Sequence, residues 1–288
     1  MTGATFTAII ATKGRPVPLR DTLASLAECD PPPEDTIVVD GDPDRSAEGV
    51  AREAGVRYLA TAPGSSRQRN VGIAAADGDV LVFCDDDIAL DRSVFEALGE
   101  AYEDDSVVGA TVHLVERTER SVGGMRSPLR RLLFRGEEGR FTRFGYPRYL
   151  TRLDEPRDVE IMPGCFMSAR RRLAAELLFD ERLPGYGLGE DEDFAYRLSR
   201  RGRIRYLPRA TIVHEKFGWS SFDPREFSRM VVRHRAYLLQ KNFAPGAIAW
   251  TQFALFVALL MAHRFVNRDW AGARGLAEGA VDLWRRPL

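Results

Sequence analysis

Val80-Leu81-Val82-Phe83-Cys84-Asp85-Asp86-Asp87 is a short apolar run that ends in three consecutive carboxylates. Such a run, preceded by the turn-forming Asp77-Gly78-Asp79, is typical of a central strand in a parallel sheet. Open α/β sheets bind ligands at the carboxyl ends of their strands. Because carboxylates held together away from water need a counterion, and because Mg²⁺ and Mn²⁺ prefer oxygen ligands, we expect a divalent cation here. An acidic surface turn is the alternative.

Strand and helix patterns alternate on both sides of this run. Apolar strand patterns cover residues 6–11, 36–39, 56–59 and 107–115, and helical patterns cover 19–26, 47–54, 67–76 and 93–102. A strand pattern at 160–168 then precedes helical patterns at 170–178 and 194–201, and the chain beyond Ser228 is largely helical. This order predicts an α/β fold with a Rossmann-type, mostly parallel sheet flanked by helices and a helical C-terminal extension.

The composition narrows the functional classes. The chain has 288 residues, 44% hydrophobic and 29% charged, and a formal net charge of -1, which fits a soluble globular protein and argues against a dedicated nucleic-acid binder. The separated cysteines Cys29, Cys84 and Cys165 fit a reducing compartment and neither a disulfide scaffold nor a zinc site. The first residues lack the basic and apolar regions of a secretory signal, so we expect a cytoplasmic location.

Polar side chains also follow the first two predicted strands. Thr12 and Arg15 come after the first strand, where a hydroxyl and a guanidinium suit a phosphate. Asp40 follows the second strand and can accept a hydrogen bond from a nucleobase or a ribose, although turn formation explains it equally. Arg69 lies in the segment 64–72 that opens a helix, and a helix amino end with nearby guanidiniums suits a diphosphate. No Walker or G-x-G-x-x-G motif accompanies these residues, so neither an ATPase nor a dinucleotide-binding protein is supported.

Taken in this order, these residues, the Arg-Asn-x-Gly of the third helix and the acidic triplet resemble the inverting family-2 glycosyltransferases of the GT-A fold, within the nucleotide-diphospho-sugar transferase superfamily. The resemblance implies that Thr12 and Asp40 hold the donor nucleotide, with Arg15 and Arg69 as further contacts. It also implies that the first and third acids of the triplet hold the ribose and the divalent metal on the diphosphate, so that Asp85 belongs to the donor site and Asp87 to the metal site.

The second half of the chain resembles the acceptor side of the same family. Gly164 matches a small-residue strand that approaches the donor sugar, although an ordinary core strand fits equally. Glu190 and Asp191 match the Glu-Asp motif at a helix amino end, which implies that Asp191 is the catalytic base and that Glu190 lines the sugar pocket. The helix dipole also favours acidic residues in a first turn, which is the structural alternative. His214 follows another apolar strand and matches a histidine near the metal or the diphosphate.

The resemblance implies an inverting, metal-dependent transfer of a sugar from a nucleoside-diphosphate donor to a hydroxyl of a glycan or polyprenyl-linked acceptor, in the synthesis of a cell-envelope glycan. Mn²⁺ or Mg²⁺ is the implied cofactor. UDP is the expected nucleotide, with dTDP and GDP as alternatives. Two other functions stay open: a sugar-1-phosphate nucleotidyltransferase, and a non-catalytic scaffold that binds nucleotide sugars at a membrane.

The residues after 115 decide the predicted domain boundaries. We expect a GT-A domain at 1–225, made of a nucleotide-sugar-binding half (1–115), an excursion (121–157) and an acceptor-side half (158–225), followed by a helical region (226–288). The excursion is aromatic and basic, and its arginines are Arg126, Arg130, Arg131, Arg135, Arg140, Arg143, Arg148 and Arg152.

Residues 247–262 are apolar and flanked by basic residues, but they are shorter than the roughly 20 apolar residues of a membrane span. Two interpretations fit equally. One is peripheral attachment to the inner face of the plasma membrane, which suits a lipid-linked acceptor, and the other is a homodimer interface.

Overall fold

The computed structural model of the chain describes residues 3–116, 136–150, 153–183, 187–215 and 223–285. Part of the predicted basic excursion lies outside these ranges, namely Arg126, Arg130, Arg131, Arg135 and Arg152. The chain divides into two compact units, residues 1–119 with 149–217 and residues 120–148 with 218–288.

The first unit is built on a sheet with helices on both faces. Its first half contains β1 (Phe6–Thr12), α1 (Pro16–Ala27), β2 (Asp35–Asp40), α2 (Glu48–Glu53), β3 (Arg57–Ala60), α3 (Ser65–Ala75), β4 (Val80–Asp85), β5 (Ile88–Leu90), α4 (Val94–Tyr102) and β6 (Val107–Glu116). Its second half contains β7 (Arg157–Val159), β8 (Phe166–Arg170), α5 (Arg171–Leu177), α6 (Glu190–Ser199) and β9 (Arg203–His214). The predicted α/β class is confirmed.

The strands lie in the order β3-β2-β1-β4-β8-β6-β9-β5, and β7 pairs with β9. The first four of these are parallel neighbours, so their carboxyl ends meet at one edge of the sheet. β8 is antiparallel to both β4 and β6. The predicted strand at 160–168 begins later than expected, at Phe166, because the Phe166 N–H first closes a turn on the carbonyl oxygen of Pro163 over 3.0 Å.

β4 is apolar without alternation because both of its faces are covered. Val82 and Cys84 lie in the apolar cluster that includes Leu19 of α1, whereas Leu81 and Phe83 lie in the cluster on the other side of the sheet. A strand between two helix layers buries every side chain. The acidic triplet therefore follows the most buried part of the sheet.

The second unit contains three C-terminal helices, α7 (Pro224–Phe243), α8 (Ala247–Val266) and α9 (Trp270–Arg285). The Asp223 carboxylate caps α7 by accepting the N–H of Arg225 over 2.9 Å. Phe144 is buried in one cluster with side chains of all three helices, which include Leu239, Phe253 and Leu276. This packing explains why the described residues 136–148 group with the C-terminal helices. The sequence had placed 121–157 with the sheet.

α8 is the one described helix whose length and composition would allow it to cross a membrane, and 17% of its apolar window is buried. It extends to Val266, beyond the predicted apolar segment 247–262. Its buried side chains, Ala249, Phe253 and Phe256, face the core of the second unit.

Candidate functional site

The carboxylates after β4 are held by side chains from the end of β1, because β1 and β4 are parallel neighbours that end side by side. The Thr12 hydroxyl donates to Asp86 Oδ2 over 2.5 Å. The Arg15 guanidinium bridges Asp86 at 2.8 Å and Asp87 at 2.6 Å. Thr12 and Arg15 thus lie at the predicted strand end, where they contact the triplet. Their contact with a nucleotide stays a prediction.

His214 meets the triplet because of the register between two strands. β5 follows the triplet directly and pairs antiparallel with the end of β9, with Ile88 opposite His214. His214 Nε2 consequently lies 3.0 Å from Asp87 Oδ1. Asp85, Asp87 and His214 each present one ligand atom, and these atoms lie within 4.8 Å of one another. Two carboxylates and an imidazole at this spacing fit a divalent cation such as Mn²⁺ or Mg²⁺.

The members of the triplet differ in their protonation. Asp86 is buried, and desolvation raises its pKa to about 7 although Thr12 and Arg15 favour the charged form. Desolvation also opposes ionisation of Asp87, but hydrogen bonds with His214 and Arg15 outweigh it and lower the pKa of that carboxyl. Asp87 therefore stays ionised at neutral pH, as a metal ligand must. Asp86 positions Thr12 and Arg15, a role that the sequence patterns missed.

Arg69 joins the two halves of the site. It lies on α3 with 3% of its side chain exposed, and its Nη2 donates to Asp85 Oδ1 over 3.2 Å and to the Gly164 carbonyl oxygen over 2.8 Å. Its Nη1 pairs with Glu190, 121 positions later in the chain. Burial alone would lower the pKa of Arg69, but Glu190 and Asp85 outweigh it and raise that pKa. The predicted contact of Arg69 with the nucleotide stays a prediction.

Asp191 lies in the first turn of α6 and against Gly164. Gly189, with a φ of 86°, takes the left-handed conformation that precedes this turn. A Cβ atom at position 164 would lie 2.9 Å from Asp191 Oδ2 and 3.2 Å from Asp191 Cβ, so glycine makes room for the carboxylate. Desolvation, then repulsion from Glu192 and Glu190, raises the pKa of Asp191 to about 7. A carboxyl group with such a pKa suits a general base at neutral pH.

An aromatic cluster fixes the amino-terminal part of α6. Phe194 stacks on Phe179 with ring centroids 4.3 Å apart and meets Phe83 of β4 edge-on at 5.8 Å. Because Phe83 lies two positions before Asp85 on the same strand, one core positions both the triplet and the helix of Asp191. Aromatic pairs of this geometry contribute about 0.5–1.5 kcal/mol beyond their buried area.

Asp40 lies at the predicted strand end but is fully buried. Its Oδ1 accepts the N–H of Asp42 over 2.8 Å. Its Oδ2 accepts the N–H of Ala47 over 3.2 Å and the hydroxyl of Tyr58 over 3.1 Å. These hydrogen bonds shape the loop after β2. A contact between Asp40 and the nucleotide stays a prediction.

Gln68 is a site residue that the sequence analysis missed. Its side-chain amide donates to the carbonyl oxygens of Thr12 over 2.7 Å and Val39 over 2.8 Å. It thereby ties together the ends of β1 and β2. Its place beside Arg69 was the only available signal, since a single glutamine belongs to no distinctive motif.

One family model matches the greater part of the chain. The model of the family described as "Glycosyl transferase family 2" matches residues 7–178. The matched segment contains the β1 and β4 ends, Arg69 and Gly164, and it stops before Asp191 and His214. No curated protein sequence matches the chain.

Several solved structures are similar to the chain. S. aureus TarS 1-349 is 18% identical with a TM-score of 0.56, and the match covers 92% of this chain and 73% of that one. Glucosyl-3-phosphoglycerate synthase from Mycobacterium tuberculosis, in complex with Mn²⁺, UDP and phosphoglyceric acid, is 19% identical with a TM-score of 0.57, covering 85% and 81%. The mannosyltransferase PcManGT from Pyrobaculum calidifontis, in complex with GDP-Man and Mn²⁺, is 17% identical with a TM-score of 0.57, covering 99% and 89%. These similarities confirm the predicted GT-A fold.

Proposed function

The chain belongs to glycosyl transferase family 2, and we propose that it transfers a sugar from a nucleoside diphosphate to an acceptor hydroxyl with inversion at the anomeric carbon. One observation carries the proposal. Arg69 binds Asp85, the carbonyl of Gly164 and Glu190 at once, so a metal-ligand candidate and the helix of the base share one buried framework. Groups held in this way need little reorganisation during the reaction.

The donor end of the site has the residues that a nucleoside diphosphate requires. Asp85, Asp87 and His214 are suited to hold Mn²⁺ or Mg²⁺. A divalent cation bound there stabilises the negative charge of the departing diphosphate. Thr12 and Arg15 lie at the same strand end, and their hydroxyl and guanidinium suit phosphate oxygens. Two of the similar structures contain Mn²⁺ together with UDP or GDP-Man.

Asp191 performs the proton transfer. Its carboxylate takes the proton of the acceptor hydroxyl while that oxygen forms a bond to the anomeric carbon. The bond from the anomeric carbon to the diphosphate oxygen breaks, and its electron pair leaves with the diphosphate. The Glu190 carboxylate is paired with Arg69, so Asp191 is the better placed of the two for this proton. A single displacement of this kind inverts the anomeric centre.

We propose UDP as the first nucleotide, with GDP and dTDP as alternatives, because similar structures contain UDP-GlcNAc, UDP or GDP-Man. The acceptor is a hydroxyl of a glycan or a polyprenyl-linked sugar, in a cell-envelope pathway on the cytoplasmic side. Family membership disfavours a sugar-1-phosphate nucleotidyltransferase. A non-catalytic scaffold would bind donor without turnover.

The test is calorimetric titration of UDP, dTDP, GDP and CDP with and without Mn²⁺, followed by measurement of nucleoside-diphosphate release from the matching nucleotide sugars. Asp87→Ala should lose Mn²⁺-dependent binding. Asp191→Asn should keep donor binding but lose roughly two to four orders of magnitude in turnover. The matched control is Asp77→Ala, since Asp77 precedes the opposite end of β4 and its side chain is 95% exposed.

If Asp87→Ala keeps Mn²⁺-dependent nucleotide binding, the assigned metal site is refuted. If Asp191→Asn keeps wild-type turnover, the assignment of Asp191 as the base is refuted. If the wild type binds donor but shows no turnover, a non-catalytic scaffold is favoured.

A further inference from the structure

The two faces of α9 have opposite character. Gly272, Gly275 and Gly279 are buried on one face. A Cβ atom at position 275 would lie 2.0 Å from the carbonyl oxygen of Arg225, so this face packs directly on the backbone of α7. The position of α9 on α7 is therefore fixed, and the opposite face is turned away from the core of the second unit.

Four exposed apolar residues form a stripe along that opposite face, and we call it the outer stripe: Trp270, Ala277, Val281 and Trp284. Their spacings of seven, four and three positions keep them on one side of a helix over about 21 Å. Trp270 is 61% exposed, Val281 45% and Trp284 86%. Two tryptophans thus lie at the ends of an apolar surface that the described part of the chain leaves exposed.

The α8–α9 turn adds to this surface. Val266 is 82% exposed and Phe265 is 51% exposed, and the Phe265 ring meets Trp270 edge-on with centroids 5.4 Å apart. Soluble monomers rarely expose large apolar side chains in such a group unless it binds something.

The charged side chains near the outer stripe leave an excess of positive charge. All three carboxylates between residues 247 and 285 are paired with arginines: Asp269 with Arg264, Glu278 with Arg225 and Arg274, and Asp282 with Arg229 and Arg233. Arg268 and Arg285 are exposed and have no carboxylate partner among the described residues. Each lies within two positions of a stripe tryptophan. The available charge beside the apolar surface is therefore positive.

We propose that the outer stripe and the α8–α9 turn bind the surface of an anionic lipid bilayer, with α9 lying in the plane of the interface. Tryptophan rings favour the headgroup region, and arginines beside them attract anionic lipids. A second copy of the chain is a poorer occupant. A symmetric interface would place Arg268 and Arg285 near the same two arginines of the second copy, and these like charges repel.

The alternative is that α8 itself crosses the bilayer, which would bring the helices that share its apolar cluster to the hydrocarbon as well. Its buried side chains share one cluster with side chains of α7 and α9, and the ion pairs between these two helices, such as Arg229 with Asp282, are unsuited to hydrocarbon. Attachment through α9 leaves this packing intact. The proposal concerns the second unit alone and does not depend on the transferase activity.

The test is sedimentation of the full chain with vesicles of phosphatidylcholine, with and without phosphatidylglycerol. The wild type should bind the vesicles that contain phosphatidylglycerol, and raised salt should weaken the binding. Trp284→Glu should reduce the partition coefficient at least about tenfold, because it replaces an interfacial ring with a charge that the lipids repel. Trp270→Ser with Trp284→Ser should have a similar effect. The matched control is Val17→Glu, since Val17 is an apolar residue of α1 with 65% exposure.

Circular dichroism of each variant checks that it is folded. The proposal is overturned if the folded wild type binds neither vesicle, or if Trp284→Glu and the double variant bind as the wild type does. It is also overturned if sedimentation velocity shows a dimer that Trp284→Glu dissociates while vesicle binding is unchanged.

Discussion

Replacing Gly164 with alanine tests the assignment of Asp191, because it disturbs the space that this carboxylate occupies. The new Cβ atom would lie 2.9 Å from Asp191 Oδ2 and 3.2 Å from both Cβ and Cγ of Asp191. Rotation of the side chain can move Oδ2 but not Cβ, so the first turn of α6 or the start of β8 must shift. A misplacement of about 1 Å can cost roughly 100-fold in rate.

For a smaller shift we expect kcat to fall about ten- to hundredfold, which is about 1.4–2.7 kcal/mol in the activation barrier. The assay measures the rate of nucleoside-diphosphate release at saturating donor concentration, and calorimetry measures donor affinity in parallel. Donor affinity should change much less than kcat. Gly99→Ala is the matched control, because Gly99 lies in α4 and its Cβ would have nothing within 4 Å. Wild-type kcat in Gly164→Ala, or an equal loss of donor affinity, would refute the reasoning.

Three further predictions follow from the described contacts. Arg15→Gln should raise the affinity of the nucleotide-free protein for Mn²⁺ by roughly five- to tenfold, because a guanidinium that competes for Asp87 is removed. Electron paramagnetic resonance measures the Mn²⁺ affinity, and an unchanged affinity would contradict the prediction. Because Asp191 of the free enzyme has a pKa raised to about 7 and must be ionised to accept a proton, kcat/KM should rise with pH up to that value and then level off. The residual kcat/KM of Asp191→Asn should lack this inflection. Gly275→Ala should lower the free energy of unfolding by about 2–3 kcal/mol in chemical denaturation, whereas Gly99→Ala should not.

The first half of the fold could be predicted because each of its strands is specified by a short stretch of sequence. Each strand from β1 to β4 is a short apolar run bounded by turn residues, and parallel neighbours bring their carboxyl ends together. The proximity of Thr12, Arg15 and the triplet follows from that rule. The insertion of β8 between β4 and β6 does not, because pairing between distant strands leaves no periodic signal. β5 and β7 have three residues each, which is too short for any pattern.

The contacts within the site were harder to predict than its location. For Arg69 the sequence suggested a contact with a diphosphate, and it gave no sign that the side chain is buried and bound to Glu190 and the Gly164 carbonyl oxygen. The difference arises because burial depends on α6 and β8, which are distant in the chain. The prediction for Gly164 and Asp191 came from motifs, and only the structure shows that the absence of a side chain at one makes room for the other.

The position of β8 has a consequence for how the chain is made. β4 needs β8 as a neighbour, and β8 leaves the ribosome only after roughly 80 further residues, which at about 5–20 residues per second takes several seconds. During that time one edge of an apolar strand has no partner and can pair with other nascent chains. Shortened chains that end before Phe166 would keep this edge exposed permanently. The donor half is consequently expected to aggregate when it is expressed by itself, because pairing with β8 is what covers the exposed edge of β4.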